Sequence, residues 1–141
     1  MEKFLALYNE LMENSADMAL ASSKDNRPNV RIVNFIIDSE NKGLVYFSTF
    51  SDNRKIVEFS QNPKGAFTTI SVGNEKHVRV QDAEVKKSKL EVNDIKAEFI
   101  KKYPMFEGLF GQFGDAMEIW EISFSQARVI EEMGVEGIVE F

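Results

Sequence analysis

The chain has no cysteine. That single absence excludes disulfide frameworks, thiolate nucleophiles, cysteine-ligated zinc and thiol redox chemistry. Histidine occurs once, as His77, so no multi-histidine metal site can be assembled and no metal ligand set is expected. Any redox chemistry must therefore come from a cofactor. Long apolar runs are also missing. The longest, Val30 to Ile37, is interrupted by Arg31 and Asn34 and falls far short of the roughly 20 residues that a membrane-spanning helix needs. Positive charge is in deficit, with 17 Lys and Arg against 23 Asp and Glu and a net charge of −6. Nucleic-acid binding rests on Lys and Arg neutralising phosphates, so this balance argues against a nucleic-acid partner. The first ten residues mix acids into an amphipathic pattern and do not form a basic segment followed by an apolar one, so they do not read as a signal peptide. A cytoplasmic protein that neither enters a membrane nor binds nucleic acid is expected.

What is present is enough for one core. A chain of 141 residues, 43% hydrophobic, suits a single domain over 1–141 that needs no staples. Phe4, Leu7, Tyr8, Leu11 and Met12 recur at helical spacing, which predicts a short helix ending near Asn14 and lying over a sheet. Met18 to Ala21, a turn across Lys24 to Asn29, and Val30 to Asp38 read as two strands of a hairpin. Leu44 to Thr49 reads as a third strand. A two-turn helix follows, capped by Ser51 or Asp52 and stopped by Asn62-Pro63. Two further strands, Lys64 to Ser71 and Lys76 to Val85, flank the turn at Gly73. Leu90 to Tyr103 is expected as a helix, then a loop punctuated by Gly108, Gly111 and Gly114, then strand structure from Ala116 to Val129. The fold class is mainly β: six or more antiparallel strands, a small barrel with short helices.

Three groups of residues could carry chemistry. Arg54 and Lys55 open a helix whose unpaired N–H groups already bear partial positive charge, an arrangement that is mildly unfavourable until an anion arrives. Left without an anion, the same pair can be offset by Asp52 and point to water. Arg31 sits in an apolar strand and needs either an anion or solvent. His77 and Arg79 project from one face of their strand as a polar wall. A hydrolase triad built on His77 and Ser48 finds no support, because no Gly-x-Ser-x-Gly turn is present.

In order along the chain, Arg31-Ile32-Val33, the Gly43 turn, Tyr46-Phe47-Ser48-Thr49, Ser51 through Arg54-Lys55, Gln61-Asn62-Pro63 and His77-Val78-Arg79-Val80 resemble the pyridoxamine 5′-phosphate oxidase-like FMN-binding split β-barrel family. The likeness covers Met18 to Val85 and, more loosely, Trp120 to Val129. It implies a Greek-key split barrel, homodimeric, with FMN bound non-covalently at the subunit interface. By that resemblance Arg31, Ile32, Val33 and Asn34 form the strand that runs along the flavin and reaches its phosphate, Ser48 and Thr49 its second flank, and Arg54 and Lys55 the phosphate grip. His77 stands where the pyridoxine-pathway oxidases have a flavin-contacting Gln.

Two departures bear on the substrate. Ile36 stands where those oxidases place a Lys for the substrate phosphate, and no C-terminal Arg-Leu-His motif is present for a pyridoxal ring. The resemblance thus implies an FMN-dependent oxidoreductase acting on a small molecule other than pyridoxamine phosphate, with no catalytic side chain identified. The alternatives are a non-catalytic flavin-binding or sensing module, or a split barrel that uses haem or a deazaflavin.

Overall fold

Residues 2–141 are described by a computed structural model. Helix α1 (Glu2–Asn14) buries Leu7, Tyr8 and Met12 on one stripe, as its spacing predicts. Its Phe4 ring lies directly on Gly137, where a Cβ would come within 2.4 Å of the ring. Strands β1 (Met18–Lys24) and β2 (Arg27–Val33) pair from Met18↔Val33 to Lys24↔Arg27. Their connection is only Asp25-Asn26, both at positive φ (52° and 64°). Asn and Asp tolerate the left-handed region better than other side chains, so the hairpin is tighter than the broad turn expected, and β2 begins three residues before Val30.

The expected continuous strand Val30 to Asp38 is divided. After β2 the ladder stops, and β3 (Ile36–Ile37) pairs instead with β4 (Leu44–Phe50). The interruption is held by side chains. The Phe35 N–H donates to the Tyr103 hydroxyl (3.1 Å), and the Phe35 carbonyl accepts from Tyr103 (2.9 Å) and from Lys102 Nζ (2.9 Å). These bonds replace a strand partner, which satisfies the buried backbone groups without a ladder.

Helix α2 (Arg54–Gln61) leads to β5 (Lys64–Thr69) and the long β6 (His77–Lys87). Then come α3 (Val92–Lys102), α4 (Phe106–Phe113), β7 (Met117–Ser123), β8 (Gln126–Glu132) and β9 (Val135–Glu140). The strands form one nine-stranded sheet in the order β2-β1-β5-β6-β7-β4-β3, with β8 pairing β6 and β9 pairing β8. Every pairing is antiparallel. Because β2 and β3 are successive parts of one segment at the two ends of that order, the sheet curls into a split barrel. Leu20, Phe47, Phe67, Val80 and Trp120 belong to the core inside it. A second core, with Phe99, Tyr103, Phe106 and Phe110, lies between the α3–α4 pair and the outer face of β3, β4 and β7.

Two expectations at the C-terminal side are corrected. The glycine-punctuated loop is a helix, α4. Gly108 and Gly111 lower helix propensity by about 1 kcal/mol each relative to Ala, but Phe106 and Phe110 meet Phe99 at ring distances of 5.3 and 5.8 Å, and that burial prevails. The strand expected from Ala116 to Val129 is two strands bent at Phe124-Ser125, with β9 added beyond. Gly43 allows the bend, since a Cβ there would lie 2.3 Å from the Phe124 carbonyl oxygen. Among the described residues, no helix is long and apolar enough to cross a membrane.

Candidate functional site

The register Ile36↔Tyr46 and Ile37↔Val45 runs backwards towards Arg31 and Ser51. Had the pairing continued, Val33 would face Thr49. The strands diverge there instead, leaving a split between the unpaired edge of β2 and the second half of β4. The segment from Phe50 to α2 closes one end of this split. Ser51 N–H donates to the Ala116 carbonyl (3.0 Å), and Asn53 N–H donates to the Phe50 carbonyl (3.1 Å). The cap of α2 is therefore Asn53, whose Oδ1 accepts from Lys55 N–H at 3.0 Å; Ser51 and Asp52, the expected caps, are not at the capping position.

Arg54 is exposed and lines an open groove of about 940 Å³ between the β1–β2 hairpin and α2, together with Lys24, Arg27 and Asp52. Lys55 turns the other way and is half-buried. Among the described residues no carboxylate lies within 4.0 Å of its ammonium. Burial, and then the Arg31 guanidinium, push its pKa down to about 8. A cation held in this way gains from any anion that reaches it.

Arg31 points to the inner side of the sheet, with its guanidinium 5.7 Å from the Phe59 ring centre. It is not free. Nη1 donates to the Leu20 carbonyl (3.1 Å), Nη2 donates to Ser22 Oγ (2.9 Å), and Nη2 also pairs with Glu58 Oε1. Glu58 is 8% exposed and accepts further bonds from Ser22 Oγ (2.6 Å) and Asn29 Nδ2 (3.0 Å). The bonds from Ser22 and Asn29, with the adjacent guanidinium, hold its carboxyl below the usual carboxylate range against the opposing effect of burial. The Glu58 contribution to stability is therefore present above the ordinary carboxylate pKa and is lost as the pH falls through the lowered one. Sequence reasoning missed Glu58. The only signal for it was its position one turn after Lys55 in an amphipathic helix, where a carboxylate ordinarily reads as solvated.

Ser48 and Thr49 line the β4 side, but alternation sends them apart. Thr49 shares the interior face with Phe47, whereas Ser48 lies on the outer face with Tyr46. Among the described residues neither buried hydroxyl has a hydrogen-bond partner. An unsatisfied buried hydroxyl costs about 1–3 kcal/mol, which a polar ligand group could recover.

The remaining residues scatter around the split. Val33 is buried inward, while Val30 and Ile32 are 63% and 58% exposed on the outer face. Asn34 is engaged with Asp17 Oδ1 (2.8 Å) and the Ala16 carbonyl (3.3 Å) at the point where β2 ends. His77 lies on the outer face of β6 with Arg79, as alternation predicts, and its Nδ1 is 2.7 Å from the Glu75 carbonyl. The structure thus brings Arg31 and Lys55 together and places His77 on the opposite face of the sheet. Ile36 is buried in the second core, so no cation can be offered from that position.

A larger groove of about 1160 Å³ runs between α3, α4 and the ends of β6 and β7. Its charges offset one another, as in the Lys87–Glu118 pair at 3.3 Å, and it contains none of the expected site residues.

Residues 11–136 match the model of a family described as pyridoxamine 5′-phosphate oxidase-like. No curated protein matches the chain. Several solved structures share its fold. A NimC/NimA family protein of Clostridium acetobutylicum is 14% identical with a TM-score of 0.70, over 99% of this chain and 93% of that one. HutZ, the heme storage protein of Vibrio cholerae, is 13% identical with a TM-score of 0.70, over 97% and 94%. A FAD-binding protein of Mesorhizobium loti is 16% identical with a TM-score of 0.62, over 84% and 86%.

Proposed function

Because the chain belongs to the pyridoxamine 5′-phosphate oxidase-like family, we propose that its split binds FMN and that the protein is an FMN-dependent oxidoreductase acting on a small molecule. The observation that carries this reading is Lys55, a half-buried cation at a helix N-terminus with no carboxylate beside it among the described residues. The orphaned hydroxyl of Thr49, on the interior face of β4, adds a buried polar atom without a partner among the described residues, whereas that of Ser48 lies on the outer face. These residues fit a phosphorylated flavin. In this reading Lys55 holds the phosphate end, and Arg54, exposed on the other side of the α2 N-terminus, adds longer-range attraction. The edge of β2 from Arg31 to Asn34 runs along the ring, and Thr49, with the β4 backbone, forms the other flank. FMN supplies acceptance and donation of an electron pair; the protein supplies orientation and exclusion of water.

A phosphorylated vitamer is disfavoured as substrate, because Ile36 is buried where the pyridoxine-pathway oxidases place a Lys for the substrate phosphate. A homodimer completes the reading. Exposed Val30 and Ile32, flanked by Ala19, Ala21 and Ala66 on the outer face of β2-β1-β5, form an apolar surface that a second copy would cover.

The likeness to HutZ, a heme storage protein, supports a second reading in which the split barrel takes haem. His77, the single imidazole, has one ring nitrogen free of hydrogen bonds among the described residues, on the outer face. Titration separates the readings. FMN fluorescence should be quenched to saturation at about one FMN per chain, and the loaded protein should oxidise NADH or NADPH with turnover. Saturation by FMN without turnover with either donor would indicate a flavin-binding module. Failure of FMN to saturate, with haem binding that is lost in His77→Ala, would replace the flavin reading by the haem one.

A further inference from the structure

We propose that Glu58 determines the anion specificity of this site: it takes Arg31 as its own partner and leaves Lys55 as the cation that a ligand's phosphate meets. The inference rests on the flavin reading above. Both Arg31 Nη atoms already donate within the protein, to Leu20, Ser22 and Glu58. Both Glu58 oxygens are likewise occupied, Oε1 by Ser22 and Arg31 and Oε2 by Asn29. A guanidinium fixed in this way has its charge offset. Among the described residues Lys55 has no such partner. The phosphate end therefore presents the charge of Lys55 and of exposed Arg54, while a carboxylate one turn along α2 opposes a second negative charge. With Glu58 ionised, the site prefers a phosphorylated flavin through Lys55, and by less than it would with the Arg31 charge also available.

Glu58→Gln tests this. Gln is close in shape to Glu and can still accept from Ser22 and Arg31, but it removes the charge that occupies the guanidinium. The probes are FMN and riboflavin, titrated separately by fluorescence quenching into wild-type and variant protein. FMN should bind the variant at least about tenfold more tightly, with riboflavin changed by less than about twofold. If both flavins shift in parallel, or FMN weakens, the assignment is overturned. If riboflavin and FMN both fail to bind the wild type, the flavin reading itself falls, and the inference with it.

Should the variant not fold, the wild-type protein gives the answer by pH. The charged group acting on Lys55 is Arg31 from β2; Asp52, Arg54 and Glu58 are the charged residues of its own segment. The FMN phosphate, with a second pKa near about 6, stays dianionic above pH 7. Lys55, lowered to about 8, is mostly charged at pH 7 and mostly neutral at pH 9. The preference for FMN over riboflavin should therefore fall at least about fivefold between those values. A preference that held constant would mean that Arg31 meets the phosphate, which overturns the proposal.

Discussion

Replacing Arg54 and Lys55 together by alanine weakens FMN binding at least about tenfold, equivalent to about 1.4 kcal/mol, and leaves riboflavin binding nearly unchanged. Two terms add in that effect. Lys55 is half-buried, so its bond to a phosphate is a charge-assisted one in reduced dielectric, a class whose loss costs about 1.5–3 kcal/mol. Arg54 is exposed and contributes mainly to long-range attraction, which salt screens. The single variant Lys55→Ala should accordingly carry most of the loss, and the remaining Arg54 part should shrink as ionic strength rises. Folding is not at risk, because the cap of α2 is the Asn53 side chain bonded to the backbone of residue 55. Unchanged circular dichroism together with unchanged FMN affinity would remove the phosphate assignment.

Phe99→Ala destabilises the protein by about 3–5 kcal/mol, the range for deleting a buried aromatic ring. Phe99 is 0% exposed and lies at the centre of the outer core, 5.3 Å from the Phe106 ring, 5.8 Å from Phe110 and 6.5 Å from Tyr103. Its loss opens a cavity under both α3 and α4. It also loosens Tyr103, whose hydroxyl bonds both backbone groups of Phe35 at the point where β2 and β3 part. Thermal melting followed by circular dichroism should show Tm lowered by roughly 10–20 °C. A shift of only a few degrees would mean that the two helices unfold apart from the barrel and do not define the split.

The strand and helix order was legible because burial alternates cleanly where one face meets the core. β6 is the clearest example, with Val78 and Val80 buried while Arg79 and Gln81 stay exposed. Helix α2 was legible from Ile56, Val57, Phe59 and the Asn62-Pro63 stop, although Val57, expected on the same side, is exposed. What local pattern could not show was tertiary in origin. Ile36 and Ile37 continue the apolar run of β2, and nothing nearby in sequence signals that Tyr103 and Lys102 would bond to Phe35 and break the strand. α4 looked like a loop because glycine propensity dominates a short window, whereas the decisive contacts come from Phe99 in the preceding helix. At the site, Arg31 and Lys55 were each singled out, by the strand arginine and the cationic helix start, but only the family resemblance implied that they come together. Glu58, the residue that fixes Arg31, was not, since a carboxylate on a surface helix is indistinguishable in sequence from one paired beneath a strand.

The central claim is that the split of this barrel holds FMN, and the visible absorption spectrum of the purified protein tests it most directly. The account predicts flavin bands from a chromophore that heat releases, identified as FMN at about one per chain, or the same bands acquired when FMN is added to colourless protein. A protein that is colourless and leaves the spectrum and fluorescence of added FMN unchanged would contradict it.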